Sequence, residues 1–551
     1  MTTTANVADL LANHARQHPQ QLAVAMPTAR GSDPADYDRT SFAELQQQSD
    51  RLAAGLCEMG VKPGMRIALA VPFNTDFILW VFALLKSGAV MVLVDPGMGR
   101  RQLLGCLEQV ELDGLVGISK AQAVRSLLRR KFPKARFNVT VGRRWFWGGR
   151  TQRQLLARES SEFSPFAAAE DDPAAIIFTS GSTGPAKGVC YQHGNFSQQV
   201  EKIREHYQIK SSDVDLPAFP LFGLFNAAMG VSSIIPRMDP SRPAQVDPEE
   251  IIRPIQQWQV TQSFGSPALW EAVGRRCHEK QIQLPSLRRV LSAGAPVPLR
   301  VLQRVSAAIA PDGEMFTPYG ATEALPVASI SASERLALAD RKAELGKGIC
   351  VGNRFAGIQW KVIAIDDRPL EQFSQVEEVR DGQIGELIVK GPVVTRQYFE
   401  LPAQTAVHKI HDGDGFWHRM GDVGFLDEQQ RFWFCGRKSQ RLQIGEETIY
   451  TVPAESILND HPRVYRSALV GIGQRPEQRA VMVAELWPDK ACQDEAEANE
   501  VARQLLQHVQ ADPLTASVSD VLLHPSLPVD IRHNAKIFRE KLAGWVTSQL
   551  G

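Results

Sequence analysis

Hydrophobic and polar positions alternate along this chain with two periods, and the switch between them marks out its elements. Phe42, Leu45, Leu52, Leu56 and Met59 recur on one helical face behind Ser41 and Glu44, a capping-box pair, and Gly60 follows where such a helix would close. A strand is predicted over 66–71, a helix buried on all sides over 76–86 ended by Gly88, and a fully buried strand over 90–94. That rhythm belongs to a parallel sheet. Further apolar runs at 174–178, 260–264, 289–292 and 358–365 extend the strand set, so the reading is α/β, a large layered domain. After the aromatic run Phe432-Trp433-Phe434 the texture becomes more polar and α+β in pattern. The predicted division is therefore 1–436 for the large domain and 437–551 for a small one, with no internal repeat or low-complexity tract.

Composition narrows this picture only a little. The 551 residues carry 61 basic and 61 acidic side chains, which gives no argument for nucleic acid as a partner. The seven cysteines are odd in number, widely spaced and without a Cys-x-x-Cys, the pattern of reduced core thiols rather than of disulfides or zinc. The N-terminus lacks a basic, then apolar leader, and the strongest apolar run, 77–85, is cut by Lys86-Ser87-Gly88 before it could span a bilayer. A cytoplasmic protein is expected. One local feature stands out: residues 115–158 hold twelve Lys or Arg and no acidic residue, with Arg143-Arg144-Trp145-Phe146-Trp147 among them. Three readings stay open for it, a solvated face, a peripheral contact with an anionic membrane, or a partner protein.

The chemistry begins at Thr179-Ser180-Gly181-Ser182-Thr183-Gly184-Pro185-Ala186-Lys187-Gly188, directly after an apolar run. Glycines 181, 184 and 188 are expected to take positive φ and bring N–H groups to an anion, with hydroxyls at 180, 182 and 183 and a mobile cation at Lys187. This reads as a polyphosphate grip, against the plain alternative of a Gly/Ser surface turn. It is not the P-loop of NTPases, because Lys187 is followed by Gly188 and not by Ser or Thr.

Together with Gly294-Ala295-Pro296, Tyr319-Gly320-Ala321-Thr322-Glu323, Gly385-Glu386-Leu387, Arg419-Met420-Gly421-Asp422, Gly436-Arg437 and the closing stretch 527–536, this loop resembles the signature of the adenylate-forming superfamily. That superfamily comprises acyl-CoA synthetases, luciferases and peptide-synthetase adenylation domains, and the resemblance covers nearly the whole chain. It implies ATP as substrate and Mg²⁺ as cofactor. By it, Thr179 and Ser180 to Lys187 hold the β- and γ-phosphates, Thr322 the α-phosphate, and Glu323 the magnesium ion. Tyr319 and Gly320 lie at adenine with Gly294, Ala295 and Pro296 as the opposite wall, while Asp422 and Arg437 hold the ribose edge. Lys536, on a mobile C-terminal lid that rotates about Ser439, contacts the α-phosphate and the substrate carboxylate. His193 and His533, though near these motifs, are read as structural.

Two departures bear on the acceptor. Thioester-forming relatives commonly carry histidine or an aromatic where this chain has Gly223, which reads as the loss of a gate over the acyl tunnel. They also carry glycine along the pantetheine passage where Glu446 aligns, although a slip of one residue would put Gly445 there. Residues 441–455 and 528–536 are similar to the β-lactone-forming branch from bacterial olefin biosynthesis. That likeness implies adenylation of a 2-alkyl-3-hydroxy fatty acid, attack by its own hydroxyl, and two partners, an α/β-hydrolase-fold decarboxylase and a reductase. The alternatives are a long-chain acyl-CoA or acyl-AMP ligase and, from another class, a silent nucleotide-binding scaffold.

Overall fold

The computed structural model describes residues 5–28, 36–157, 163–179, 186–339, 348–529 and 537–550. The first predicted helix forms as Phe42–Glu58 behind a complete capping box: the Glu44 N–H donates to Ser41 Oγ at 3.2 Å, and the Ser41 N–H to the Glu44 carboxylate at 2.7 Å. Beside it packs Thr75–Ser87, started by Asn74, whose side chain accepts from the Phe77 N–H, and ended by Gly88 at φ 71°. This helix has no polar face. Lys86, which interrupts its apolar run, is itself buried, and Asp50 Oδ1, Ser49 Oγ and Gln46 Oε1 take its ammonium at 2.7, 2.7 and 2.8 Å.

These helices flank a seven-stranded sheet in the order Arg150–Thr151, Phe137–Val141, Gly114–Ile118, Arg66–Ala70, Val90–Val94, Pro173–Thr179, Lys187–Gln192. Its members run parallel except the last, which folds back antiparallel on Pro173–Thr179. A nine-stranded sheet contains Gln262–Gly265, Arg289–Ser292, Glu314–Ala321 and Ala324–Ser331 as consecutive neighbours. A third, six-stranded sheet is built around Gly385–Lys390, Gly415–Leu426 and Phe432–Arg437. The strand expected over 358–365 belongs to it and stops at Ile363, because the next backbone N–H, that of Ala364, turns away to Glu377 O.

From Leu442 onward a small α+β unit gathers its own strands, Val464–Ile472, Arg479–Leu486 and Asp520–Leu523, with helices Thr451–Asn459, Glu495–Gln510 and Arg539–Leu550. Its apolar clusters close around Leu469, Met482 and Leu505 on one side and Val470, Leu542 and Val546 on the other. Among the described residues no helix is long and apolar enough to cross a membrane. Among the described residues no cysteine forms a disulfide, and the core-thiol expectation fails at Cys57, exposed on the outer face of Phe42–Glu58.

Candidate active site

Three sheet ends converge on Lys187, Glu323 and Asp422. Lys187 opens the antiparallel strand opposite Thr179. Its neighbour Gly188 lies within that strand, opposite Phe178, and does not have the positive φ expected of a loop glycine. Glycine is needed there for space, because a Cβ would stand 2.7 Å from the Phe178 ring and 2.9 Å from Ile176. Ser180, Gly181, Ser182, Thr183, Gly184, His533 and Lys536 lie outside the described residues, as does the side chain of Thr179.

The Lys187 ammonium sits 2.9 Å from His408 Nε2 and 5.0 Å above the Tyr398 ring. His408 Nδ1 faces Arg419 O at 3.4 Å, which assigns the ring proton to Nδ1 and leaves Nε2 to accept from Lys187. Burial, and then the Lys187 charge, push His408 down to about 4, so the ring is neutral. Burial also lowers the Lys187 pKa, with the Glu323 charge opposing it.

Strands Glu314–Ala321 and Ala324–Ser331 pair as far as Ala321 opposite Ala324, so Thr322 and Glu323 are the two residues of a tight turn. The register slips just before it, at Gly320, where a Cβ would stand 2.7 Å from Ala324 O. The Tyr191 hydroxyl donates to Thr322 O at 2.6 Å, and Tyr398 Oη to Glu323 Oε1 at 2.7 Å. Thr395 donates twice to Glu323 O, from its N–H at 2.9 Å and its hydroxyl at 3.1 Å. Beneath lies Lys409, buried, donating to Thr395 O and pushed down to about 7 by burial against the pull of Glu323.

Asp422 and Arg437 are paired across neighbouring strands. Arg437 Nη1 stands 2.8 Å from Asp422 Oδ1, and the Tyr319 hydroxyl donates to Oδ2. The arginine contact is close but not aligned, so Oδ1 is a buried acceptor without an aligned donor. Burial raises the Asp422 pKa, with Arg437 and Tyr319 opposing. The Tyr319 ring lies 6.1 Å from Phe432 and 6.4 Å from Phe434. Gly294, at φ 93°, follows Arg289–Ser292, which runs parallel beside the Tyr319 strand. Below Asp422, Glu386 takes Arg419 at 2.5 Å and Lys438 at 3.0 Å.

The remaining expectations fall elsewhere. Ser439 is exposed, and its carbonyl accepts from Arg475 at 2.7 Å. Gly445 and Glu446 form the exposed turn between Leu442–Ile444 and Glu447–Ile449. Gly223 leaves no opening: a Cβ there would meet the Phe73 ring at 2.6 Å, so an aromatic from a distant segment fills the space. Phe222 stacks at 3.8 Å on Phe264 beside it. His193 is buried, and neither of its ring nitrogens has a hydrogen-bond partner among the described residues. His408, Tyr398, Thr395 and Lys409 escaped sequence reasoning, since His408 lies 221 residues from Lys187 and no local motif surrounds it. Among the described residues no group of three His, Cys, Asp or Glu could hold a metal.

Residues 11–399 match the family described as AMP-binding enzyme. The chain is 44% identical to the olefin beta-lactone synthetase of Xanthomonas campestris pv. campestris, covering 100% of this chain and 99% of that one. With the olefin beta-lactone synthetase of Stenotrophomonas maltophilia the identity is 43%, again over 100% and 99%. Among solved structures, ATP-bound MatB from Rhodopseudomonas palustris superposes with a TM-score of 0.79 and 21% identity over the whole of both chains, a likeness of fold.

Proposed function

This chain belongs to the AMP-binding enzyme family, and from that membership we propose that it is an ATP-dependent β-lactone synthetase acting on 2-alkyl-3-hydroxy fatty acids. The observation that carries the reading is 44% identity along the full length of an olefin beta-lactone synthetase. In the first step a substrate carboxylate oxygen attacks the α-phosphorus of ATP, and the bond to pyrophosphate breaks. In the second, the substrate's own hydroxyl oxygen attacks the acyl carbon, its proton passes to solvent, and AMP leaves as the four-membered ring closes. Intramolecular attack has a large proximity advantage, which offsets ring strain.

The residue roles are part of the same proposal. Lys187, facing a neutral His408 and not a carboxylate, is the cation left to meet a phosphate. Asp422 Oδ1, buried and lacking an aligned donor, is the acceptor left for a ribose hydroxyl. Glu323 fits Mg²⁺, because an ion bridging nucleotide phosphates needs only one or two protein carboxylates, and when bound it would neutralise phosphate charge. Lys536 arrives on the small C-terminal unit, turning about Ser439. Phe73, Phe222 and Phe264 offer an apolar wall to the alkyl chains. The hydroxy acid then comes from a reductase, and the lactone passes to an α/β-hydrolase-fold decarboxylase.

Mass spectrometry of the product from ATP, Mg²⁺ and a 2-alkyl-3-hydroxy acid tests the reading: β-lactone and AMP should form without CoA. The matched acid lacking the hydroxyl should stop at acyl-adenylate. Thioester formation on adding CoA, with no lactone from either acid, would make it an acyl-CoA ligase.

A further inference from the structure

The basic stretch 115–158 is a single feature in sequence but two in space. At one end two of its cations are matched by acids from a neighbouring segment, Lys131 by Glu108 and Lys134 by Glu111, the latter at 2.7 Å. Those two pairs belong to an ordinary solvated face. At the other end, residues 142–149 leave the strand Phe137–Val141 as a loop pinned by Trp147, whose ring is buried and whose Nε1 donates to Thr140 Oγ1 at 3.0 Å. Around this anchor Trp145 and Phe146 are turned outward, 63% and 72% exposed. Arg143 and Arg144 flank them, and among the described residues no carboxylate pairs with either. Ser119 donates to Arg143 O and ties the loop to the start of helix Ser119–Leu127, whose outer row Lys120, Val124 and Leu127 is also exposed. Four of the seven large apolar side chains left exposed among the described residues therefore lie in this one patch.

Arg144 Nη1 donates to Gly149 O at 2.5 Å, but neither guanidinium has a carboxylate partner among the described residues, and water gains nothing from two exposed aromatic rings beside them. An interface with apolar depth and anionic headgroups accommodates both, the rings at headgroup level and the arginines on phosphate. We propose that residues 143–146 and the outer row of helix Ser119–Leu127 dock this protein on an anionic lipid bilayer. The loop leaves the same sheet edge as the segment that follows Arg66–Ala70 and carries Phe73, two strand positions, or about 10 Å, away. Docking would thus set a lipid surface near the apolar wall. This use of the surface rests on the lactone reading, but the docking itself does not.

The test is co-sedimentation of the full chain with vesicles of phosphatidylcholine alone and of phosphatidylcholine mixed with phosphatidylglycerol. Binding should need phosphatidylglycerol and weaken with salt. Arg143→Gln with Arg144→Gln should weaken it about fivefold for each arginine lost. Trp145→Ala with Phe146→Ala, keeping the Trp147 anchor, should lower the part that survives high salt, while turnover of a soluble short-chain substrate stays unchanged. Lys131→Gln with Lys134→Gln, whose cations are already paired, should leave binding intact. Absence of binding to mixed vesicles overturns the proposal, and so does a loss in the Lys131/Lys134 variant equal to that in the Arg143/Arg144 variant. Retention of a purified partner protein through Trp145, without vesicle binding, would reassign the surface to protein contact.

Discussion

The two ends of the site, at Asp422 and at Lys187, hold charge in opposite ways. At Asp422 each carboxylate is matched in contact by a cation: Asp422 by Arg437, and Glu386 beneath it by Arg419 and Lys438. At Lys187 the ammonium meets a neutral imidazole and an aromatic face, with a second buried cation, Lys409, behind the Glu323 turn. The first arrangement builds shape, since removing one partner strands a charge in low dielectric. The second leaves positive charge without a contacting anion, which favours a ligand that brings negative charge. The Glu386 cluster thus serves as framework beneath Asp422, whose Oδ1 is left to accept, while the positive charge at Lys187 is left for a ligand that brings an anion.

Paired substitutions can break that comparison. Arg419→Met should cost about 3–5 kcal/mol of stability, because Glu386 is then held inside with Lys438 alone. Lys187→Met should change stability by less than about 1 kcal/mol yet slow pyrophosphate release about a hundredfold to a thousandfold. Urea unfolding and a pyrophosphate assay on both variants would show the contrast, and a stability loss at Lys187 equal to that at Arg419 would erase it. Lys536→Ala sharpens the point from outside both regions. It should lose roughly 3–5 kcal/mol of transition-state stabilisation while nucleotide affinity, measured by calorimetry, stays close to wild type.

A control comes from His193, which touches neither end. Burial pushes it down to about 4, against 6.5 in the unfolded chain, so the folded ring is neutral and the unfolded state takes up a proton first as pH falls. Its contribution is therefore complete above about pH 6.5 and lost progressively down to about pH 4. His193→Phe should flatten that acid decline by about 3 kcal/mol in denaturant titrations across this window, without changing nucleotide affinity. The smallest expected effect is at His408. His408→Phe removes the acceptor for Lys187 and should raise the KM for ATP about tenfold with a smaller change in kcat, and His408→Gln should recover part of the loss. A kcat fall in both variants with KM unmoved would assign His408 to the chemical step instead.

Much of this was legible in the chain itself. The capping box at Ser41 and Glu44, the buried helix ended by Gly88 and the strands at 90–94 and 289–292 depend on hydrogen bonds and side-chain periodicity within a few residues, so local pattern sufficed. Lys187 was legible as the cation of a Gly/Ser loop, whereas Thr322, Glu323 and Asp422 became candidates only through the resemblance of their motifs to a known family. Where the local rule misled, a neighbour from elsewhere in the chain had changed the environment. Gly188 is a glycine because of Phe178 across the hairpin, and the space at Gly223 belongs to Phe73.

What only the tertiary structure decided is which charges meet. No spacing announces that His408 grips Lys187, that Tyr398 and Thr395 hold the Glu323 turn, or that Glu108 and Glu111 answer two of the twelve cations of an acid-free basic segment and leave Arg143 and Arg144 without a carboxylate among the described residues. Backbone hydrogen bonding and hydrophobic periodicity act over a few residues and are written along the chain. Electrostatic and steric partners are chosen by distance in space, and that distance exists only once the sheets have packed.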